Sequence, residues 1–349
     1  MSGLVSRVPV QGTTGKLSTK VQAVYDRMLL ERAVQNQVFD LGAQRRIISA
    51  KSNAKKGFAR RYKGLLPATT PLAEYNGSNI KSPNKIVVEE VEYSVAHYGD
   101  YVTYTDELDL YDFDNIRTVY IELLGDQASL TVDTIRRNTL RGGSNVIYAD
   151  GAKSRTAVAD GKKKITLDDL KLMKIKLVKQ GAKKFTSIIP ASVKVGTLPV
   201  RPCYIGICSP EVIEDLRELK GWKDVETYAD SSKAMQFEVG SIEDFRIIQS
   251  DNNDPFANQG TSKDTNVYPS YFMGKDAYAT TSLRGKEGII SKVKQLGSSG
   301  SEDPLDQYGT IGWKAIFGCD ILNEAWLVRV ESTASIEDDS QRHFLDYSA

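Results

Sequence analysis

The stretch that most constrains this chain is residues 85–143, where the period of a very long strand runs directly into the period of a very long helix. In residues 86–105, Val91, Tyr93 and Val95 alternate with Glu90, Glu92 and Ser94, the period of two of a half-buried strand. Aromatic and β-branched residues continue through Tyr101, Val102, Thr103 and Tyr104. At about 3.3 Å per residue this segment reaches roughly 60 Å, with Gly99 as the expected bend or bulge. A strand of that length is expected to project from its domain. A helix is expected to begin after Asp114 as N-cap and to end near Gly142 and Gly143, where a residue without Cβ can take the left-handed terminating conformation. Ile116, Val119, Tyr120, Leu123, Leu124, Gln127, Thr131 and Ile135 recur at three- and four-residue spacing and are expected to share one face. The helix makes about seven turns, roughly 40 Å long. An arm beside a spine is not the plan of an ordinary compact enzyme.

The remaining composition bounds the answer only loosely. At 349 residues and 40% hydrophobic content, the chain can bury one large core or two modest ones. Its 46 basic and 45 acidic residues leave a net charge of +1, so no global field pulls it toward nucleic acid or an anionic membrane. Cys203, Cys208 and Cys319 are odd in number and lack metal-knuckle spacing, which points to a reducing compartment without a disulfide framework or zinc site. No signal-peptide core and no run of about 18 apolar residues is present, so a soluble protein with no membrane partner is expected.

Residues 1–18 read as an extended tail that needs a partner to order it, followed by an amphipathic helical pattern that starts at Thr19 and continues less regularly past Val38. Residues 41–73 contain no acid but eight basic residues, Arg45, Arg46, Lys51, Lys55, Lys56, Arg60, Arg61 and Lys63. GFARRYKG within them reads as a strand, and the turn-rich residues before position 85 make it the partner of the long strand in a wide-tipped hairpin. Such a ribbon is marginal by itself and is expected to lie on another subunit. Residues 152–164 read as a polar linker. Beyond it strands and helices alternate: a helix capped by Thr166 or Asp168 that stops at Gly181, the strand CYIGIC, a helix opened by Ser209 and Pro210, strands at 245–249, 271–273, 289–296, 311–317 and 325–330, and polar loops at 251–268 and 297–304. The fold class is α+β.

Chemistry is scarce. With only His97 and His343 there is little material for a nucleophile activated by histidine. The dinucleotide, P-loop, zinc-protease and hydrolase motifs do not occur. No catalytic residue, cofactor or metal is assigned. Asp106, Glu107, Asp109, Asp112 and Asp114 are numerous enough to ligate a divalent cation, yet acids entering a helix N-terminus need no metal to explain them. A metal-dependent enzyme using these acids is the alternative reading. A nucleic-acid binder using the basic run is the other, although only Phe58 and Tyr62 interleave it.

The succession FARRYKGLLPATTPLAEY, VEEVEYSVAHYGDYVTYTDELDL and LLGDQASLTVDTIRRNTLRGG resembles the major capsid proteins of tailed phages, in the subfamily typified by the coat protein of coliphage N-four. ICSPEVIEDLREL, GWKDVETYAD, YFMGKDAY, DPLDQYGTIGWKAIFGCDIL and NEAWLVRVES are similar to the later blocks of that family. The resemblance spans most of residues 20–332. It implies the Hong Kong 97 capsid fold: an N-terminal arm (1–54), an extended hairpin or E-loop (55–105), a P domain with the spine helix (106–164), mostly an A domain (165–324), and a closing P-domain strand with the C-terminal tail (325–349). It also implies pentamers and hexamers of an icosahedral shell around double-stranded DNA, with portal, scaffolding and decoration proteins as partners. The location implied is the virion, and the host cytoplasm during assembly. Residues 186–200 and 251–267 match no part of that pattern.

On this fold the hairpin is expected to cross the spine of a neighbouring subunit. Glu122, Asp126 and Asp133 fall within about 40° of one another around the predicted helix. They form an acidic stripe that Arg60, Arg61 and Lys63 of a neighbour are expected to face, with Arg offering paired donors to carboxylates.

Overall fold

The computed structural model describes residue 29 and residues 37–48, 56–63, 87–111, 116–188, 198–227, 235–285, 288–297 and 303–336. In chain order the elements are β1 (Gln44–Ile48), β2 (Lys56–Lys63), β3 (Val87–Ser94), β4 (Ala96–Thr105), α1 (Asp106–Tyr111), α2 (Ile116–Arg141) and β5 (Val146–Tyr148). Next come α3 (Arg155–Asp160), α4 (Leu167–Lys179), β6 (Phe185–Ile188), β7 (Leu198–Cys208), α5 (Pro210–Arg217), β8 (Lys223–Asp224), β9 (Glu238–Ile242) and β10 (Phe245–Gln249). The chain continues through β11 (Phe256–Gln259), β12 (Thr265–Met273), β13 (Tyr278–Leu283), β14 (Ile289–Lys294), β15 (Tyr308–Ile321) and β16 (Leu327–Ser332). Among the described residues no helix is long and apolar enough to cross a membrane.

The strands form three sheets. β15 is the axis of the first, with β4 along one side and β13 followed by β14 along the other, all antiparallel to it, while β1 adds parallel to β13. The second sheet has nine strands, in the order β5, β16, β12, β7, β10, β9, β8, with β11 on β12 and β6 on β7. The third is the ribbon of β2 and β3. The unbroken apolar run CYIGIC follows from burial on both faces of the second sheet. Tyr204 and Cys208 join one core with Leu170, Met173 and Leu177 of α4 and Val212, Ile213 and Leu216 of α5. Cys203, Ile205 and Ile207 face the opposite core with Val38, Phe39, Tyr271 and Tyr278.

The long strand divides at Val95 rather than at Gly99. Gly99 stays in register opposite Lys314, and a Cβ there would stand 2.6 Å from the Trp313 carbonyl oxygen, so its role is close approach between strands rather than a bend. At the actual division, Gly318 of β15 admits the Ser94 carbonyl so closely that an added Cβ would lie 1.8 Å from it. The ribbon therefore leaves the sheet over a glycine.

The helix expectation holds in extent and is corrected in two details. First, α2 has 26 residues and its terminal turn closes with Gly142 N–H donating to the carbonyls of Asn138 and Thr139, but neither Gly142 nor Gly143 has a positive φ. Gly143 is instead a close-packing position, where a Cβ would meet the Leu140 carbonyl at 3.2 Å and Leu327 at 3.4 Å. The left-handed glycine stop does occur after α4, at Gly181 with φ +69°. Second, the buried face is Ile121, Leu124, Ala128, Val132 and Leu140, whereas Val119 and Leu123 are 46% and 60% exposed. Asp114, the expected cap, lies outside the described residues.

Charge is buried along this helix as well. Ile121, Leu124, Ala128 and Val132 pack on Ile311, Trp313, Ala315 and Phe317, the alternate residues of β15. One end of the helix, Leu140, enters the core under the nine-stranded sheet. Between the two cores lie Asp133, Arg136 and Arg137, each less than a tenth exposed. Asp133 Oδ1 accepts from Phe39 N–H at 2.9 Å and Oδ2 accepts from Asn252 Nδ2 at 3.3 Å. Arg136 reaches Asp40 at 3.0 Å and Gln37 at 2.8 Å. Arg137 reaches Asp254 at 2.5 Å and donates to the Asn252 carbonyl at 2.8 Å. The spine thus clamps the segment entering β1 and the segment leaving β10.

Residues 152–164, expected as a linker, contain α3. Ser154 caps it by accepting from Ala157 N–H, and Val158 and Ala159 are buried against Val267. The expected loop 251–268 contains β11 and the start of β12. Thr166 caps α4 in a reciprocal box with Asp169. At α5 Pro210 opens the helix as expected, but the Ser209 hydroxyl makes no cap bond and instead accepts from Asn253 Nδ2 at 3.1 Å.

Two outcomes follow from this packing. Gly318→Ala pushes a methyl into the Ser94 carbonyl and is expected to destabilise the subunit by about 1 to 3 kcal/mol, the usual cost of overpacking, read as a lower urea midpoint with m unchanged. Burial, opposed by the bonds from Phe39 and Asn252, raises the Asp133 carboxyl from 3.8 to about 6. The folded chain then binds this proton more tightly than the unfolded chain, so stability is fully present below pH ~4 and declines as pH rises through ~6, by roughly 3 kcal/mol in all. Asp133→Asn is expected to remove that part of the pH profile, measured by denaturant midpoints at pH 4.5 and 7. An identical wild-type and variant profile would exclude the assignment.

Candidate assembly surface

The β2–β3 ribbon follows from its sequence, since valine and tyrosine alternate with charge along β3 and suit a strand held at its root and open beyond it. At the root, Val91 and Tyr93 pack against Ala279 and Leu322. The Tyr93 ring crosses Gly57 so closely that a Cβ there would be 2.3 Å away, and the Arg46 guanidinium lies 5.8 Å from the ring centroid. Lys56 pairs with Glu92. Further out Val88 is 47% exposed.

Only the backbone of Arg60, Arg61 and Lys63 is described. Their register places Arg60 opposite Glu90, Arg61 opposite Glu89 and Lys63 opposite Val87. The expected tip, residues 68–82, lies outside the described residues. On the spine the acidic stripe is not uniform. Glu122 is exposed and Asp126 half-buried, whereas Asp133 is 2% exposed and committed to Phe39 and Asn252. The helical phase of the stripe was legible in sequence; what covers Asp133 is the segment entering β1, which no helical period reports. The same flank carries Val119, Leu123 and Leu130, all more than a third exposed and within about 40° of one another at 100° per residue. An apolar row bordered by Glu122 and Asp126 is open on the surface of the single chain.

The structure also places the chemistry-bearing residues. Asp112, Asp114 and His343 lie outside the described residues; Asp106 accepts from Glu107 N–H at 2.8 Å. Among the described residues no three metal-ligating side chains converge. Burial pushes the thiols of Cys203, Cys208 and Cys319 up to about 11, 12 and 12, which keeps all three protonated and unreactive at neutral pH.

Sequence reasoning missed Glu331, which is fully buried. Arg155 grips both its oxygens at 2.7 and 2.8 Å, and Arg329 Nε donates to Oε1 at 3.0 Å. Arg155 and Arg141 also lie 3.4 and 3.9 Å from the Phe256 ring centroid. Arg329 and Glu331, two apart in a strand, share a face, and this spacing was the one available signal.

A profile of the phage capsid protein family matches residues 88–330. No curated protein is similar in sequence. Among solved structures, the capsid of Ralstonia phage GP4 is similar with a TM-score of 0.68 at 12% identity, covering 97% of this chain and 100% of that chain. The head of Helicobacter pylori bacteriophage KHP40 gives 0.60 at 9% identity, covering 86% and 91%. The capsid of Cyanophage P-SCSP1u gives 0.55 at 12%, covering 95% and 94%. At these identities the structures speak for the fold alone. The spine on its sheet, the projecting ribbon and the family match over most of the chain agree: this chain belongs to the phage capsid protein family and has the Hong Kong 97 capsid fold.

Proposed function

We propose that this chain is the major capsid protein of a tailed phage of the coliphage N-four-like subfamily, assembling as hexamers and pentamers into an icosahedral shell around double-stranded DNA. It acts in the virion, with portal, scaffolding and decoration proteins as further partners and assembly in the host cytoplasm. The observation that carries the reading is the family match across residues 88–330, joined to a fold shared over nearly the whole length of a phage capsid chain. The subfamily rests on the ordered series of sequence blocks. A structural role suits a chain whose thiols are buried and whose exposed features are a ribbon and an apolar-acidic helix flank.

Domains are drawn along the sheets rather than along contiguous ranges of the chain. The P domain comprises α2 with β1, β4, β13, β14 and β15, the E-loop is the β2–β3 ribbon, and the A domain comprises the nine-stranded sheet with α4 and α5. The open flank of α2 is where the E-loop of a neighbouring copy lies. Arg60, Arg61 and Lys63 meet Glu122 and Asp126 there, while Asp133 serves its own chain.

Deleting residues 68–82 is expected to leave a folded subunit that forms no closed shells, scored by thermal melting and by electron microscopy. Normal particles from the deleted chain would remove the E-loop from assembly. Replacing Arg60 and Arg61 by Glu is expected to impair shell formation, and adding Glu122→Lys with Asp126→Lys to restore it in part. Exposed pairs contribute only about 0 to 1 kcal/mol each, so the readout is the assembly threshold, where the repetition of one interface sums small contributions. Folded variants that never rescue one another would reject this contact and leave the shell intact as a conclusion.

A further inference from the structure

The outer face of the first sheet carries a concentration of unpaired positive charge that none of the assembly contacts above uses. Because Ile311, Trp313, Ala315 and Phe317 point to α2, the intervening Thr310, Gly312 and Lys314 point the other way. Register then builds that face in rows: Lys292, Gly312 and Tyr101 in one, Lys294, Thr310 and Thr103 in the next, and Ile290, Lys314 and Gly99 on the other side. Together they form a shallow groove of about 350 Å³ bordered by His97, Tyr101, Lys292, Lys294 and Lys314. Its floor is kept low by Gly312, where a Cβ would come within 2.7 Å of the Asp100 carbonyl oxygen and the Tyr101 Cβ.

All three lysines are exposed, and among the described residues no ion pair engages them. Among the described residues the one carboxylate at the groove is turned away: Asp100 Oδ2 accepts from Gln127 of the spine at 2.6 Å, and Oδ1 accepts from Tyr101 N–H at 2.8 Å. Tyr101, at 67% exposure, offers a ring and a hydroxyl beside the lysines.

We propose that this face holds the phosphate backbone of double-stranded DNA through Lys292, Lys294 and Lys314. The residue types favour phosphate over an acidic protein segment. Among the described residues, the two ion-paired carboxylates with no exposure at all, Glu238 and Glu331, are met by guanidinium groups, at Arg246 and at Arg155 and Arg329, while lysines meet the less enclosed Asp215 and Asp244. The groove has no arginine and presents lysines as point charges, which suit phosphates without demanding a planar, two-point fit. Lys292 and Lys294 stand two residues apart on one strand, about 6.7 Å, a spacing on the scale of successive phosphates along a nucleic-acid strand. Nothing in the groove reads bases, so binding is independent of sequence and strongly dependent on salt.

The source of the polyanion rests on the shell reading, and the experiment separates the two. Unassembled full-length subunits are titrated into a fluorescent duplex of arbitrary sequence between about 50 and 200 mM salt, as wild type and with Lys292, Lys294 and Lys314 changed to Gln. A control exchanges Lys153, Lys179 and Lys223, all exposed and elsewhere on the surface, for the same loss of charge. Wild type and control are expected to bind with equal salt slopes, and the groove variant to bind more weakly with a slope reduced by up to about 2.7, at about 0.9 per phosphate contact. Equal affinity and slope in all three proteins would overturn the proposal, as would a wild type that does not bind the duplex. A groove variant that binds DNA normally but no longer forms shells would also overturn it, making the face a contact between copies. If wild type binds as expected but never assembles under the microscope, the shell reading fails and the phosphate surface stands.

Discussion

Three buried charged side chains along one helix hold this subunit together. Asp133, Arg136 and Arg137 lie where α2 passes from the core beneath the first sheet to the core beneath the second. A purely apolar face would let the helix slide or rotate against either sheet at small cost. Directional bonds to Phe39, Asp40, Asn252 and Asp254 fix its phase and tie chain segments about a hundred residues away to it. Buried charges are tolerated because each one is met, and removing either side leaves the other stranded.

A second polar knot does the same for the nine-stranded sheet. Glu331 in the middle of β16 is held by Arg155 from α3 and by Arg329 in its own strand, and the ring of Phe256 is stacked under Arg155 and Arg141. The helix end, α3, β11 and β16 thereby meet at one point. The two knots sit where the spine meets the sheets beside it.

Around this rigid frame the chain leaves surface in distinct chemical classes. The α2 flank is apolar and acidic, the ribbon is basic along β2 and acidic along β3, and the outer face of the first sheet is basic over a glycine floor. Surfaces of different sign on one chain favour contacts between unlike faces of neighbouring copies, the kind that closes rings rather than stopping at a dimer.

Local periodicity by itself determined a good deal: the extent of α2, the helices α4 and α5 with the Pro210 start of α5, the strand CYIGIC, and the order of ribbon, spine and mixed sheets. These depend on spacing of 2.0 and 3.6 residues and on turn chemistry, which neighbours in sequence supply. The resemblance was legible for the same reason, because ordered blocks survive as sequence. Only the tertiary structure decided which side of α2 is buried. Its apolar residues extend well around the helix, so the period alone favoured Leu123 and Gln127 over Ala128 and Val132, and no sequence rule expects Asp133 and Arg137 inside. It also decided that Gly99 and Gly318 serve close approach rather than bending, that residues 152–164 fold as a packed helix, and that Asp133 serves its own chain. Each of these is a contact between segments distant in sequence, and burial is set by what arrives from elsewhere.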